Sequence, residues 1–125
     1  MTNIILCSDS FKGTLSSNDI ANIGKELINN KYSEKIKLTT LLIADGGEGS
    51  LEAFSSILKG KKIFVDTMDA EYKTINVPYF FFDENKAIIE VSKIIGLPMI
   101  KNTIKNTKRT TKGIGIVIKH AIKKG

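Results

Sequence analysis

Two polar loops carry the residues that could do chemistry. The first is Ser8-Asp9-Ser10-Phe11-Lys12-Gly13-Thr14, directly after the apolar run Ile4-Ile5-Leu6-Cys7. The second is Ala44-Asp45-Gly46-Gly47-Glu48-Gly49-Ser50, between the apolar run Leu38 to Ile43 and the helical pattern Leu51, Phe54, Leu58. Gly46, Gly47 and Gly49 let the backbone turn sharply, take positive φ and approach a ligand closely. The loop ends where a helix begins, so free N–H groups and the positive end of the helix dipole face outward. Asp9 and Lys12 in one loop, with Asp45 and Glu48 in the other, suit phosphoryl transfer. A lysine neutralises phosphate charge, and a carboxylate orients a hydroxyl or holds Mg²⁺. The expected ligand is a polar, anionic small molecule. Ligands of open parallel sheets bind outside the carboxyl ends of the strands. If the two preceding strands are neighbours, Asp9, Lys12 and Asp45 share one pocket on that rim.

A Gly-rich strand-to-helix turn can also be a plain chain reversal with a good cap, so the pair of loops carries the argument. Neither loop is a Walker A sequence, and neither is a Rossmann Gly-x-Gly-x-x-Gly. Gly113-Ile114-Gly115 lacks the third glycine. His120 is the single histidine, at the lysine-rich end of the chain, and reads as a surface residue; a histidine-rich metal site is excluded. Cys7 is the single cysteine, so an internal disulfide and a Cys-based zinc site are excluded too.

The elements that must position these loops follow from the apolar pattern. Ile4 to Cys7 suits a strand buried on both faces of a parallel sheet. Ser16 with Asp19 resembles a capping box. Ile20, Ile23, Gly24, Leu27 and Ile28 then form one face of a helix ending at Asn29-Asn30. Ile36 to Ala44 reads as a strand, Leu51 to Leu58 as a helix with Gly60 at its C′ position, and Lys62 to Thr67 as a third strand. Strand-helix-strand-helix-strand implies crossovers and a parallel sheet. After Asp66 the pattern changes. Lys73 to Phe82, with Pro78 marking an edge or bulge, and Ala87 to Val91 read as a hairpin about Asp83-Glu84-Asn85-Lys86. Ser92 to Gly96 suggests a short helical turn, Lys101 to Lys108 a polar loop, and Ile114, Val117, Ile118, Ala121 and Ile122 a last helix. The expected fold is α/β: a Rossmann-like three-layer lobe over residues 1–68, then an antiparallel hairpin beginning a second lobe over residues 69–125. That lobe looks incomplete, because no strand follows the last helix.

The 125 residues suffice for a core, with 42% hydrophobic and 26% charged residues. No apolar run approaches the ~20 residues of a membrane span, and no signal peptide is visible; the cytoplasm is the expected compartment. The net charge is +6. Much of that excess lies between Lys101 and Lys124, where one arginine, no aromatic residue and no nucleic-acid motif argue for a solvated basic face. Nucleic acid and membrane are therefore not expected partners, and the oligomeric state is left open.

Several stretches resemble the bacterial glycerate kinase family (type 1). Asp9-Ser10-Phe11-Lys12-Gly13-Thr14-Leu15-Ser16 is similar to its opening "DSFKGSLSA", and Ala44 to Ser50 to its "ADGGEGT". Ala87-Ile88-Ile89-Glu90-Val91-Ser92 with Gly96-Leu97-Pro98 resembles "AVIEMA…GL". Asn106-Thr107 with Thr110 to Gly115 resembles "NP…TTTYGTG", although Lys112-Gly113-Ile114-Gly115 departs from "TYGTG". The motifs stand in family order and span almost the whole chain. The resemblance implies phosphorylation of D-glycerate by ATP with Mg²⁺, 2-phosphoglycerate being favoured over 3-phosphoglycerate. It implies Asp9, Lys12 and Asp45 as catalytic positions, with Mg²⁺ on Asp45 or Asp9. Ser10, Phe11, Gly46, Gly47, Glu48 and Gly49 would bind substrate, with Glu90, Thr110, Thr111 and Gly113 further along the cleft. Family members are longer and continue into a second Gly-rich motif, so the chain reads as part of a two-domain kinase with little activity alone. The alternative is a truncated module that folds, or binds glycerate, without turnover.

Overall fold

The computed structural model describes residues 1–101 and 103–125; Asn102, within the expected polar loop, and the side chain of Pro98 lie outside the described residues. The chain divides into two compact units, Met1–Ser56 and Ile57–Gly125.

The first unit holds β1 (Thr2–Ser8), α1 (Ser17–Lys31), β2 (Ile36–Leu42) and almost all of α2 (Ser50–Ile57). The strands are parallel and in register from Thr2↔Ile36 to Ser8↔Leu42, joined by α1 as a crossover must be. Helix α1 starts with the expected capping box. The Ser16 hydroxyl accepts the Asp19 N–H at 3.1 Å, and the Ser16 N–H donates to Asp19 Oδ2 at 2.9 Å. At Gly24 a Cβ would come within 2.6 Å of Leu6 and 3.6 Å of Leu38, so glycine lets the helix approach both strands. The inward stripe is Ile20, Ala21, Gly24 and Ile28, whereas Ile23 and Leu27 are about half exposed. The close approach at Gly24 sets the helix rotation, which spacing alone placed further round.

The second unit holds β3 (Gly60–Met68), β4 (Thr74–Phe82), β5 (Lys86–Ile88), α3 (Ser92–Ile95), 3₁₀ turns at Leu97–Met99 and Asn106–Lys108, and α4 (Lys112–Lys124). The class is α/β, with a parallel pair and an antiparallel sheet. The placement of the third strand is corrected: β3 is not part of a parallel sheet but pairs antiparallel with β4, in the order β3-β4-β5. Strand β3 accordingly belongs to the same compact unit as β4 and β5. The physical reason is the connection after β3. It is a tight turn over residues 69–73, too short for a crossover helix. Asp69 Oδ1 accepts the N–H groups of Glu71 and Lys73 at 2.8 and 2.9 Å, and Tyr72 takes φ +66°.

Gly60 opens β3 instead of capping α2. A Cβ there would come within 2.5 Å of the Phe81 carbonyl oxygen, which only glycine avoids. Pro78 lies opposite Phe64, past the Phe80↔Ile88 end of the β4–β5 ladder, where that side of β4 has no β5 partner. Alternate residues of β3 and β4 form the core with the helices: Val65, Val77, Tyr79, Ile94, Val117 and Ala121. The buried Tyr79 hydroxyl lies 3.2 Å from His120 Nδ1, so His120 is a packing partner and not a bare surface group. Burial raises the Tyr79 pKa.

Candidate active site

The parallel register decides where the two loops go. Ser8 pairs with Leu42 at the carboxyl end of the pair, so both loops leave the same end of the sheet. The first loop folds back on itself. Phe11 and Leu15 exchange backbone hydrogen bonds at 2.8 and 3.2 Å, and the Thr14 N–H and hydroxyl both donate to the Phe11 carbonyl at 2.9 Å. Lys12 and Gly13 form the tip, where Gly13 has φ +82°. Asp9 Oδ1 accepts the Ser10 N–H at 2.6 Å.

The second loop is shaped by Asp45 and its glycines. Asp45 Oδ1 accepts the Gly47 N–H at 2.9 Å across Gly46, which has φ +95°. Gly49 has φ +86°, and its carbonyl accepts the Ala53 N–H at 3.0 Å to start α2. A Cβ on Gly13, Gly46 or Gly49 would meet nothing within 4 Å, so these glycines answer to backbone conformation and leave open space beside the chain. The Ser17 hydroxyl donates to the Ile43 carbonyl at 3.3 Å, tying the start of α1 to the exit of β2.

Ser10, Phe11 and Lys12 line a cavity of about 190 Å³ with Gly13 to Ser16 and, from the second loop, Glu48. Asp9, Asp45, Gly46, Gly47 and Gly49 are not among its lining residues. Asp9 and Lys12 follow β1 and Asp45 follows β2, so all three stand at the same end of the parallel pair. The two aspartates turn an oxygen onto their own loops, while Lys12 and Glu48 reach the cavity. Among the described residues, no group of three acidic, His or Cys side chains could hold a metal by itself.

The remaining candidates belong to the second unit. Glu90 is buried, lies beyond the end of β5, and accepts the Ser92 hydroxyl at 2.9 Å with Lys93 Nζ at 3.9 Å. The Thr110 N–H donates to the Ala70 carbonyl at 3.0 Å, and its hydroxyl accepts the Lys112 N–H at 3.1 Å. Thr111 is exposed at the start of α4. Gly113 is buried; its carbonyl accepts the Thr67 hydroxyl at 2.8 Å, and a Cβ there would overlap the Met68 carbonyl oxygen. Its structural duty is to let α4 lie against β3. Sequence reasoning passed over two residues that position these segments, Ser17 and Glu71. A polar residue just inside a capped helix signals the first. An acidic pair, Asp69 and Glu71, in a tight turn signals the second.

Comparison with known proteins decides the family. Residues 4–125 match the sequence profile described as the glycerate kinase family. The chain belongs to the glycerate kinase family. It is 31% identical over 128 residues to an uncharacterized protein of Synechocystis, a match spanning 100% of this chain and 33% of that protein. Its fold is similar to the crystal structure described as glycerate kinase 2 from Salmonella typhimurium LT2, with TM-score 0.73 and 26% identity, over 99% of this chain and 33% of that one. A separate local likeness, 49% identical over 43 residues, covers 7% of the UvrABC system protein C of Borrelia turicatae. The chain thus spans about one third of the length of the first two relatives. Among the described residues, no helix of this glycerate kinase family chain is long and apolar enough to cross a membrane.

Proposed function

We propose that this chain supplies one wall of a glycerate kinase active site, which phosphorylates D-glycerate from ATP with Mg²⁺ and favours 2-phosphoglycerate as product. One observation carries the reading: the parallel β1–β2 register sends both family loops to one end of the sheet, where Lys12 and Glu48 line the same cavity. The residues suit the nucleotide and its cation. The open space beside Gly46 and Gly49 lets a phosphate approach the backbone. Asp9 and Asp45 each place Oδ1 on a loop N–H, and each has a second oxygen for a cation. Mg²⁺ is commonly held by one or two carboxylates together with substrate phosphates. Bound there, ATP and Mg²⁺ would supply the phosphoryl group and offset its charge. Lys12 would neutralise phosphate oxygens, Glu48 would orient the acceptor hydroxyl, and Ser10 and Phe11 would shape the pocket. Glu90, Thr110, Thr111 and Gly113 are assigned to the cleft on family resemblance alone.

The same reading holds that the chain by itself turns over little substrate, since it spans about one third of the length of its first two relatives. In-line transfer needs both substrates held and water excluded. The test is phosphoglycerate formation from D-glycerate and Mg-ATP by purified 1–125, beside a family member of full length. Turnover within about tenfold of that relative, roughly 1.4 kcal/mol in barrier, would show that the site is complete in this chain. Binding of D-glycerate without turnover is the outcome expected.

A further inference from the structure

The turn between β3 and β4 is unlike a surface hairpin. Asp69, Ala70 and Glu71 are all buried, and the Glu71 side chain is 1% exposed. A buried carboxylate is unfavourable unless donors surround it. Glu71 is surrounded. Its Oε1 accepts the Thr103 N–H at 3.1 Å and faces Arg109 Nη2 at 3.4 Å. Its Oε2 accepts the Thr103 hydroxyl and faces Lys73 Nζ at 3.4 Å. Neighbouring Asp69 is engaged within the turn, accepting the N–H groups of Glu71 and Lys73.

These contacts tie down the segment from Thr103 to Thr110 at both ends. Glu71 holds Thr103 and Arg109, and the adjacent Ala70 carbonyl accepts the Thr110 N–H at 3.0 Å. Between the ties lies the 3₁₀ turn Asn106–Lys108. Directly after them come Thr111 and the first turn of α4.

We infer that Glu71 is a positioning residue, whose carboxylate clamps the 103–110 segment to the β3–β4 turn and so sets Thr110, Thr111 and the start of α4. The inference rests on the reading of Thr110 and Thr111 as cleft residues. The clamp works through charge. The Thr103 hydroxyl is the main cause holding the Glu71 carboxyl below its ordinary range, against an opposing effect of burial, with the Thr103 N–H and Lys73 adding to it. Glu71 is therefore ionised at neutral pH, as its cationic neighbours require.

The experiment is amide NMR on the 125-residue chain, comparing wild type with Glu71→Gln and, as a milder variant, Thr103→Val. Gln keeps the shape but removes the charge. Exchange at Thr103 and Thr110 should rise about tenfold or more, with Val65 and Val77 in the sheet changing little. In wild type the Thr103 and Thr110 amides should titrate together, with a midpoint below the ordinary glutamate range, and Glu71→Gln should abolish that titration. Titration with D-glycerate and with Mg-ATP supplies the functional arm. Resonances of Thr110 and Thr111 should respond in wild type, with affinity weakened about fivefold or more in the variant. Unchanged exchange, or loosened exchange with wild-type affinity, overturns the role of Glu71 while leaving the cleft reading intact. If wild-type Thr110 and Thr111 respond to neither ligand, the cleft reading fails and the positioning role falls with it. If Glu71→Gln does not fold, Thr103→Val decides: it should loosen Thr110 and weaken ligand affinity in the same direction, and no change in either overturns the proposal.

Discussion

The Ser17 hydroxyl donates to the Ile43 carbonyl oxygen at 3.3 Å. This bond joins the first turn of α1, which ends one loop, to the residue that opens the other. Pairing of β1 with β2 brings the loops to one end of the sheet, and the Ser17 bond fixes their spacing there. A neutral, partly exposed hydrogen bond is worth about 0.5–1.5 kcal/mol net. Ser17→Ala should destabilise the first unit by about that much, read from the denaturant midpoint. Amide exchange from Ala44 to Gly47 should rise more than exchange within β1, because the bond sits at the loop exit. Equal changes in both places would show that the bond does not set the loop.

Ser16 prepares the same end of the fold from the helix side. Its hydroxyl accepts the Asp19 N–H, and its own N–H and hydroxyl donate to Asp19 Oδ2 at 2.9 and 2.6 Å. Removing an N-cap hydroxyl costs about 1 kcal/mol, so Ser16→Ala should lower stability by that order and loosen the cavity lining. The Ser16 hydroxyl is the main cause, and the Ser16 N–H the second, that hold the Asp19 carboxyl below its ordinary value. A depressed folded pKa means a contribution present above the ordinary aspartate range and lost as pH falls through the folded value. Wild type should thus show an acid-side loss of helix stability that Ser16→Ala largely lacks. The carboxyl NMR titration of Asp19 checks it: the midpoint should move up in the variant.

Much of this was legible in the sequence, and the exceptions have physical causes. The capping box Ser16–Asp19 and the two strand-to-helix loops are local devices whose residues lie within one turn of each other, so the sequence displays them. The partner of β3 is not local. Its apolar run fits either a parallel or an antiparallel neighbour, and the deciding feature is the Asp69–Lys73 turn, whose hydrogen bonds are not visible in a hydrophobicity pattern. Gly60 follows a helix as a cap would, yet it answers to the Phe81 carbonyl across the sheet. Gly113 belongs to a family motif, yet it is occupied by contact with Met68. The loop aspartates were legible as acids, but their turn toward Ser10 and Gly47 was not.

Two glycines of α4 separate packing from propensity. A Cβ at Gly113 would overlap the Met68 carbonyl oxygen, a backbone atom held in the β3–β4 ladder. Gly113→Ala must push the helix off the strand and strain the Thr67–Gly113 bond, with a loss of about 1–3 kcal/mol. Gly115 lies in the same helix, and a Cβ there would meet nothing within 4 Å. Gly115→Ala should therefore stabilise by about 1 kcal/mol through helix propensity alone. Thermal unfolding of the two variants should shift in opposite directions. A shift of the same sign in both would mean that α4 can slide on β3 more freely than this contact permits.

Asp45 allows shape and chemistry to be tested apart. Its Oδ1 accepts the Gly47 N–H at 2.9 Å, closing the turn over Gly46. Asparagine presents the same acceptor oxygen at the same reach, and it tolerates such turns well. Asp45→Asn should thus preserve the loop, leaving stability within about 0.5 kcal/mol, as for an exposed change that keeps its bond. What it removes is the negative charge, which a divalent cation and an acceptor hydroxyl would both require. The expected result is unchanged unfolding with loss of the Mg²⁺ dependence of nucleotide binding. In a family member of full length carrying the matching change, turnover should fall about a hundredfold or more, the scale of a positioned acid–base group. Asp45→Ala removes the acceptor as well, so it should add loop disorder, visible as faster exchange at Gly47, to the same loss of binding. If Asp45→Asn binds Mg-ATP like wild type while Asp45→Ala does not, Asp45 serves the turn and not the chemistry, and the acidic role passes to Asp9 or Glu48.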